Sequence, residues 1–165
     1  ETDKEYKERG AKDALHRASV FRERLGQYDK AIANKRTYLK TYGKDIKRFK
    51  DDPKDDLAQR VNGIPYDIPV ILEKSGDTDG AIKGFYAYFS KPSKTATPLM
   101  LFTARKNYGE LIKEAKNKQE KMLRELYPNK KLDEIQLMLH INDKKELKQL
   151  AKDYGYDDKQ LKDWF

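Results

Sequence analysis

Basic side chains at helical spacing are the strongest chemical feature of this sequence. At about 100° per residue, four of them fall within an arc of about 80° on one helix, opposite the apolar side chains of the same segment. Such a cationic ridge would attract phosphate groups, anionic lipid or the acidic surface of a protein. The alternative interpretation is a lysine-rich face that contacts only solvent. The residues of the cationic ridge are Arg36, Lys40, Lys44 and Lys47.

The charge of the surrounding segment favours a binding role for this ridge. Residues 30 to 50 contain eight Lys or Arg and one Asp, a local charge of +7, whereas the whole chain carries +8. Arg48 extends the ridge, and Tyr38 lies off the apolar stripe beside Arg36 and Lys40, which predicts an exposed ring. We therefore predict that the ridge, Arg48 and Tyr38 bind a partner.

An apolar aromatic pair, Trp164 and Phe165, ends the sequence. Side chains this apolar are expected to dock onto their own domain, because exposing them to water costs free energy. A free anchor for a partner is the alternative. Both residues therefore also count as candidate partner-binding residues.

Side chains that could act in catalysis or hold a metal are sparse and scattered. The chain has no Cys, which excludes thiolate catalysis, Cys-ligated metals and disulfides. His16 and His140 lie in different segments, and residues 77 to 80 match only part of a calcium loop. The nine glycines are scattered, so no glycine-rich phosphate loop precedes a helix. We expect no catalytic residue, no metal, no cofactor and no small-molecule substrate, and hence a protein that is not an enzyme.

Two hydrophobic repeats with alternating three- and four-residue spacing predict the helices that position these side chains. The first lies within residues 11 to 50, includes Phe21, Leu25 and Leu39, and is interrupted by Lys35. It predicts one long helix with the cationic ridge on its outer face. The second lies within residues 99 to 127, includes Ala104, Leu111 and Met122, and predicts a helix that ends before Pro128. Repeats of similar length favour antiparallel packing of the two helices.

Turn-forming residues divide the middle of the chain. Asp52 as N-cap and Pro53 as first helical residue predict the start of a second helix. Gly63, Pro65 and Pro69 predict that this helix is short. The apolar residues 64 to 72 could form a β-strand, but the two prolines remove backbone donors, so we predict an irregular segment that leads into a brief helix at about residues 70 to 74.

Further caps predict the remaining helices. Residues 77 to 80 (Asp-Thr-Asp-Gly) should supply a turn and the N-cap of a third helix, and Pro98 suits the first position of a fourth helix after a linker-like stretch. Asp143 with Glu146 forms a capping box, and Asp157 or Asp158 can start a last short helix. On the third helix we expect four side chains to face the core, namely Ile82, Phe85, Tyr86 and Phe89.

The predicted fold class is all-α, an elongated antiparallel bundle of about four helices with a small C-terminal helical appendix. We predict that the main bundle comprises residues 1 to 127 and the appendix residues 128 to 165. No apolar run reaches the length of about 20 residues that spans a bilayer, so we expect no transmembrane segment. If Glu1 is the N-terminus of a processed chain, we expect an exported or organellar protein; otherwise the location stays open.

These features predict a non-enzymatic accessory subunit that docks through a basic helix onto an acidic surface of a larger assembly. Extrinsic subunits of membrane complexes have this general build. The alternative is a nucleic-acid-binding protein, of a phage, plasmid or chromatin-like kind, whose residues 30 to 50 lie along phosphates. Against this alternative, the other segments add little positive charge and no known reader motif is visible.

Overall fold

The computed structural model describes residues 3 to 48, 56 to 93 and 95 to 165, and these residues form helices joined by turns and short irregular segments. The predicted all-α class is confirmed for this part of the chain. None of its helices is both long enough and apolar enough to cross a membrane. The helices are α1 (Asp3–Arg24), α2 (Tyr28–Tyr42), a 3₁₀-helix (Asp45–Arg48), α3 (Asp56–Ser75), α4 (Thr78–Ser90), α5 (Pro98–Leu126), α6 (Leu132–Ile141), α7 (Lys144–Asp153) and α8 (Asp158–Trp164).

The first hydrophobic repeat does not form one helix, because the chain reverses between α1 and α2. Gly26 has a φ of +71°, a conformation that residues with a Cβ rarely adopt. Its amide donates to the carbonyl of Glu23 at 3.0 Å, and the amide of Gln27 donates to that of Arg22 at 2.8 Å. The prediction of a single long helix is therefore wrong. α1 packs against α2, in place of the predicted partner at residues 99 to 127.

A second reversal, fifty residues later, has the same backbone geometry. Gly76 has a φ of +85°, and the amides of Gly76 and Asp77 donate to the carbonyls of Glu73 and Leu72 at 3.0 and 2.9 Å. The sequence pattern Gly-x-x-Asp-x-Ala-Ile occurs at both turns. The pairs α1–α2 and α3–α4 are thus two copies of one helical hairpin. This internal repeat was present in the sequence, but a search for three- and four-residue spacing does not detect it.

The two hairpins pack in chain order, since α2 also lies against α3. Ala31 and Ala81 occupy equivalent positions in the two copies and are both fully buried. A side chain of one carbon lets the helices of each hairpin approach closely.

α1 turns a different face inward from the one that its repeat predicts. Phe21 and Leu25 belong to the predicted stripe, yet both are largely exposed. Ser19 is buried, and Leu15 packs against the cluster around Tyr38. The prediction assumed one partner along a straight helix, whereas side chains of α1 contact both α2 and α3. The covered face is the one that lies toward both neighbours.

α3 is continuous through Pro65 and Pro69, so the predicted short helix and irregular segment are wrong. Proline inside a helix costs about 3 kcal/mol because a hydrogen bond is lost. Pro69 is almost fully buried, and a Cβ added at Gly84 of α4 would lie 2.8 Å from the Pro69 Cβ. Close packing of this ring against α4 offsets part of the cost. The predicted cap at Asp52 and Pro53 lies outside the described residues.

The other predicted helix starts are confirmed. Asp77 caps α4 by accepting a hydrogen bond from a backbone amide at 2.9 Å, and α5 begins at Pro98. Asp143 and Asp157 cap α7 and α8, each with a capping box. On α4, Tyr86 is exposed rather than buried as predicted.

Two compact units divide the chain within α5, Glu1–Tyr108 and Gly109–Phe165. The predicted domain boundary after residue 127 stays a prediction. The end of α5 belongs to the second unit because it supplies part of that unit's core. Trp164 and Phe165 pack against this core, which confirms their predicted docking onto their own domain. The core consists of Met122, Leu123, Leu126, Ile135, Leu147, Ala151 and Leu161.

Gly84→Ala should destabilise the first unit, because the new Cβ would press against the Pro69 ring. We expect a loss of about 1 to 3 kcal/mol in the free energy of unfolding, the usual cost of overpacking. Gly109→Ala is the matched control, since a Cβ at this other helical glycine would meet nothing within 4 Å. The control should be neutral or stabilising by up to about 1 kcal/mol. Equal urea midpoints for the two variants would contradict close packing of α3 on α4.

Leu111→Ala and Leu25→Ala should differ in their effect on stability, although both leucines lie on predicted stripes. Leu111 is 6% exposed and Leu25 is 70% exposed. The buried leucine should lose about 2 to 5 kcal/mol on truncation, through lost burial and the cavity left behind. The exposed one should change stability by less than about 0.5 kcal/mol. Thermal unfolding followed by circular dichroism measures both, and a large loss for Leu25→Ala would show that this side chain is covered.

Candidate partner-binding surface

α2 separates its cations onto two faces. Arg36 and Lys40 lie one turn apart on the exposed face, and Lys44 is exposed in the turn that follows α2. The backbone of Lys47 and Arg48 lies in the 3₁₀-helix, and their side chains lie outside the described part of the chain. The ridge therefore does not follow one helix, as the sequence predicted, but continues beyond the end of α2. The buried residues of α2 are Ala31, Ile32, Lys35 and Tyr38.

Three exposed cations of α2 and its following turn have no ion-pair partner among the described residues. Arg36, Lys40 and Lys44 form no ion pair with the described residues. Some cations of the first unit are paired instead, as Lys74 is with Glu23 at 2.6 Å. An acidic group of another molecule could therefore bind the unpaired cations without first breaking an internal bond.

Tyr38 does not belong to this surface. It is 2% exposed, so the prediction of an exposed ring is wrong. Its ring packs edge-on against His16 and Tyr42, with centroids 6.1 and 5.0 Å apart. The neighbouring Leu39, which the repeat placed in the core, is exposed instead. α2 lies between α1 and α3. Both neighbours cover side chains of α2, so the spacing of apolar residues alone does not determine which side chains are buried.

An ion pair between a buried lysine and a partly exposed aspartate accounts for the interruption of the first repeat at Lys35. The Lys35 side chain is 5% exposed, and its Nζ donates to Oδ2 of Asp67 at 2.7 Å. This bond links α2 to α3. A buried ammonium group without a partner would be strongly destabilising, so the pair requires α2 and α3 to meet in one register.

Arg60 forms a second charged link, between α3 and α1. Its guanidinium donates to Asp13 of α1 at 2.5 Å and lies 2.6 Å from Asp56, one turn away on α3. Neither Arg60 nor Asp67 stood out in the sequence. The only signal in the sequence was Lys35 within an apolar repeat. A lysine can occupy a core position when a carboxylate lies opposite it.

His16 lies among these charges. Burial lowers the pKa of His16 below its ordinary value of 6.5, and the positive charges of Arg60 and Lys35 lower it further. The carboxylates of Asp67 and Asp56 act in the opposite direction but do not outweigh these effects. The imidazole is therefore neutral at pH 7.

The aromatic pair at the end of the sequence is held by contacts within the second unit. Nζ of Lys121 lies 5.8 Å from the centre of the Trp164 ring, and Nζ of Lys148 lies 5.3 Å from that of Phe165. Nζ of Lys144 also donates to the Phe165 carbonyl at 2.9 Å. Both side chains are half-buried, so only part of each ring is accessible to a partner.

Within the described ranges, no group of three or more His, Asp or Glu side chains is placed to hold a metal ion.

Comparison with known proteins gives no match: no family model fits the sequence, no curated protein matches it, and no solved structure matches the chain. The surface and the interior charges described above are therefore the basis for a functional proposal.

The first unit should lose stability as the pH falls through the range just below 6.5. Because the pKa of His16 is lower in the folded state, the unfolded chain binds the proton more readily. Falling pH therefore stabilises the unfolded chain, and the loss of stability begins near the pKa of the unfolded state and continues down to the pKa of the folded state. Replacing His16 by Gln should remove this dependence, whereas His140→Gln, at an exposed position, should keep it. Urea midpoints measured between pH 7 and 5 test this. An identical slope in His16→Gln would contradict it.

Proposed function

We propose that this chain is a non-enzymatic accessory subunit that docks onto an acidic surface of a larger macromolecular assembly. The exposed cations Arg36, Lys40 and Lys44, which form no ion pair within the described part of the chain, carry the proposal. They lie in the segment with a local charge of +7, which holds nearly the whole excess of the chain. Exposed cations contribute little to folding stability, and this supports a role in binding for their concentration here.

We propose that the part of the chain that docks is an antiparallel bundle of about four helices, α1 to α4. The packing of each of these helices on the next supports it. Tandem helical hairpins offer broad, rigid surfaces on which other macromolecules can bind. Because Lys35 ties the inner face of α2 to α3, the outer face of α2 is held in one orientation.

Electrostatic attraction determines how such docking would behave. Between exposed charges it extends over about 8 Å at physiological ionic strength, and it raises the rate of association more than it slows dissociation. Reversal of these charges should therefore abolish docking while the fold persists.

The double variant Lys40→Glu with Lys44→Glu tests this proposal. The wild-type chain and the variant serve as baits for purification from the native source, with Lys113→Glu plus Lys116→Glu as a control of equal net charge. Lys113 and Lys116 are exposed on α5. We expect one stoichiometric partner with wild type and control, and its loss with the double variant. Retention by the double variant would overturn the proposal.

Nuclease treatment and a salt series separate the alternative partner. Binding to nucleic acid would be lost after nuclease treatment, and its log affinity would fall linearly with log salt at a slope that reflects several phosphates. Docking onto a protein surface should survive nuclease treatment, with a fixed stoichiometry and a shallower dependence on salt.

A further inference from the structure

An apolar stripe on α1 is left uncovered in the first unit. Ala11, Ala14, Phe21 and Leu25 belong to the first hydrophobic repeat, and all four are exposed. Apolar side chains at helical spacing are expected to be buried, because leaving them in water costs free energy. The described part of the chain does not cover the face of α1 on which they lie, so this face is a candidate for contact with another molecule.

The two hairpins match each other at an offset of fifty residues. The turn glycines and the fully buried alanines coincide at this offset. The ring contact between His16 and Tyr38, with centroids 6.1 Å apart, recurs between Tyr66 and Tyr88 at 5.4 Å. Residues of α1 and α3 that are fifty positions apart are therefore equivalent in structure, and α3 shows how the same face is covered in the second hairpin.

The face of α3 that is equivalent to the uncovered stripe lies against α2. Ile64 and Ile71 are buried there, in clusters with apolar side chains of α2. Their equivalents on α1 are Ala14 and Phe21, which are exposed. The second hairpin thus has a helix across this face, whereas no described helix lies across it in the first.

One charged position distinguishes the two faces. Asp67 of α3 accepts a hydrogen bond from Nζ of Lys35 of α2 at 2.7 Å. The equivalent residue of α1 is Arg17, which is exposed and forms no ion pair with the described residues. The charge on the face of α1 is therefore opposite to that on α3. A helix that covered α1 as α2 covers α3 would need a carboxylate at the position where α2 has Lys35.

We propose that an amphipathic α-helix of a partner protein packs on the outer face of α1, as α2 packs on α3, and pairs a glutamate or aspartate with Arg17. Apolar side chains one turn before and one turn after this carboxylate contact Phe21 and Ala14. This surface uses α1 and not the cations on the outer face of α2, so it goes beyond the proposed function.

A second copy of this chain does not supply the required helix. The residues of α2 and α4 at the pairing position are Lys35 and Phe85. A lysine would meet Arg17 with like charge, and a phenylalanine would leave the guanidinium group without a partner. Charge complementarity therefore favours a helix from a different protein.

A peptide copied from residues 27 to 43 is the probe for this face, because α2 already packs on the equivalent face of α3. A lactam bridge that replaces the exposed side chains of Ala33 and Thr37 holds the peptide helical. A fluorescent label at one end allows its binding to the full chain to be measured by fluorescence anisotropy.

Two versions of the peptide test the pairing with Arg17. One carries Lys35→Glu, and the control carries Lys30→Glu at an exposed position of α2, which gives the same net charge. We expect the Lys35→Glu peptide to bind roughly tenfold more tightly, because only this version places a carboxylate against Arg17. Equal affinities, or no binding of either peptide at millimolar concentration, would overturn the proposal.

Arg17→Glu in the full chain should reverse this preference, so that the control peptide, which keeps Lys35, binds more tightly than the Lys35→Glu peptide. Lys113→Glu is the matched variant, since it changes the charge of the chain equally at an exposed position of α5. It should keep the wild-type preference. An unchanged preference in Arg17→Glu would show that the peptide binds elsewhere, and the proposal would be wrong.

Phe21→Ala tests the apolar part of the contact. Phe21 is 62% exposed, so its loss should leave the melting temperature unchanged, yet the Lys35→Glu peptide should bind about tenfold more weakly. Phe102→Ala is the control, because this phenylalanine is 66% exposed on α5. It should keep the wild-type affinity. Equal peptide affinities of the two variants would contradict packing on α1.

Two other occupants of the α1 face are tested on the chain alone. Sedimentation velocity detects a second copy, and co-sedimentation with vesicles that contain anionic lipid detects a membrane surface. Self-association or vesicle binding that Phe21→Ala abolishes would overturn the proposal. Lys40→Glu with Lys44→Glu in the chain should leave peptide binding unchanged, so failure of the proposed function is distinguishable from failure of this inference.

Discussion

The left-handed backbone at Gly26 and Gly76 is the constraint on which the rest of the first unit depends. At each position a positive φ lets two amides reach back to the last turn of the preceding helix, and the chain reverses within three residues. Each reversal places a fully buried alanine one turn into the returning helix. Two identical turns therefore produce two similar hairpins, and the face that each helix buries follows from this reversal.

Packing of the two hairpins then divides the charged side chains into a group that lies between the helices and a group on the outer surface of α2. Lys35 and Arg60 occupy the region where α1, α2 and α3 meet, and both are paired with aspartates of neighbouring turns or helices. Lys35 in particular needs its partner in place, because its buried ammonium group would otherwise lack compensation. The cations on the opposite side of α2 have no such constraint. The basic character of the chain therefore belongs largely to its surface, where an acidic partner can meet it.

The proposed docking through the outer face of α2 would depend on long-range attraction between charges. Such attraction is weakened by salt and tolerates changes of sequence, so it acts mainly on the rate and orientation of association. The fold contributes by holding Arg36 and Lys40 on one face of α2, opposite the buried Lys35.

Local signals in the sequence determined the helices of the second unit and the starts of α4 and α5. Aspartate caps, capping boxes and proline at a first helical position act through hydrogen bonds or backbone restraints within a few residues, so distant packing is not needed to predict them. The α5 stripe was also predictable, since Ala104, Leu111 and Met122 are buried at the expected spacing. The outer cations Arg36 and Lys40 were found in the same way. Only the tertiary structure decided that Leu25 is exposed, that Tyr38 is buried, that Lys35 is paired and that α3 continues through two prolines. Each of these depends on which helix lies across the position, and the free energy of burying a side chain is set by neighbours far away in sequence.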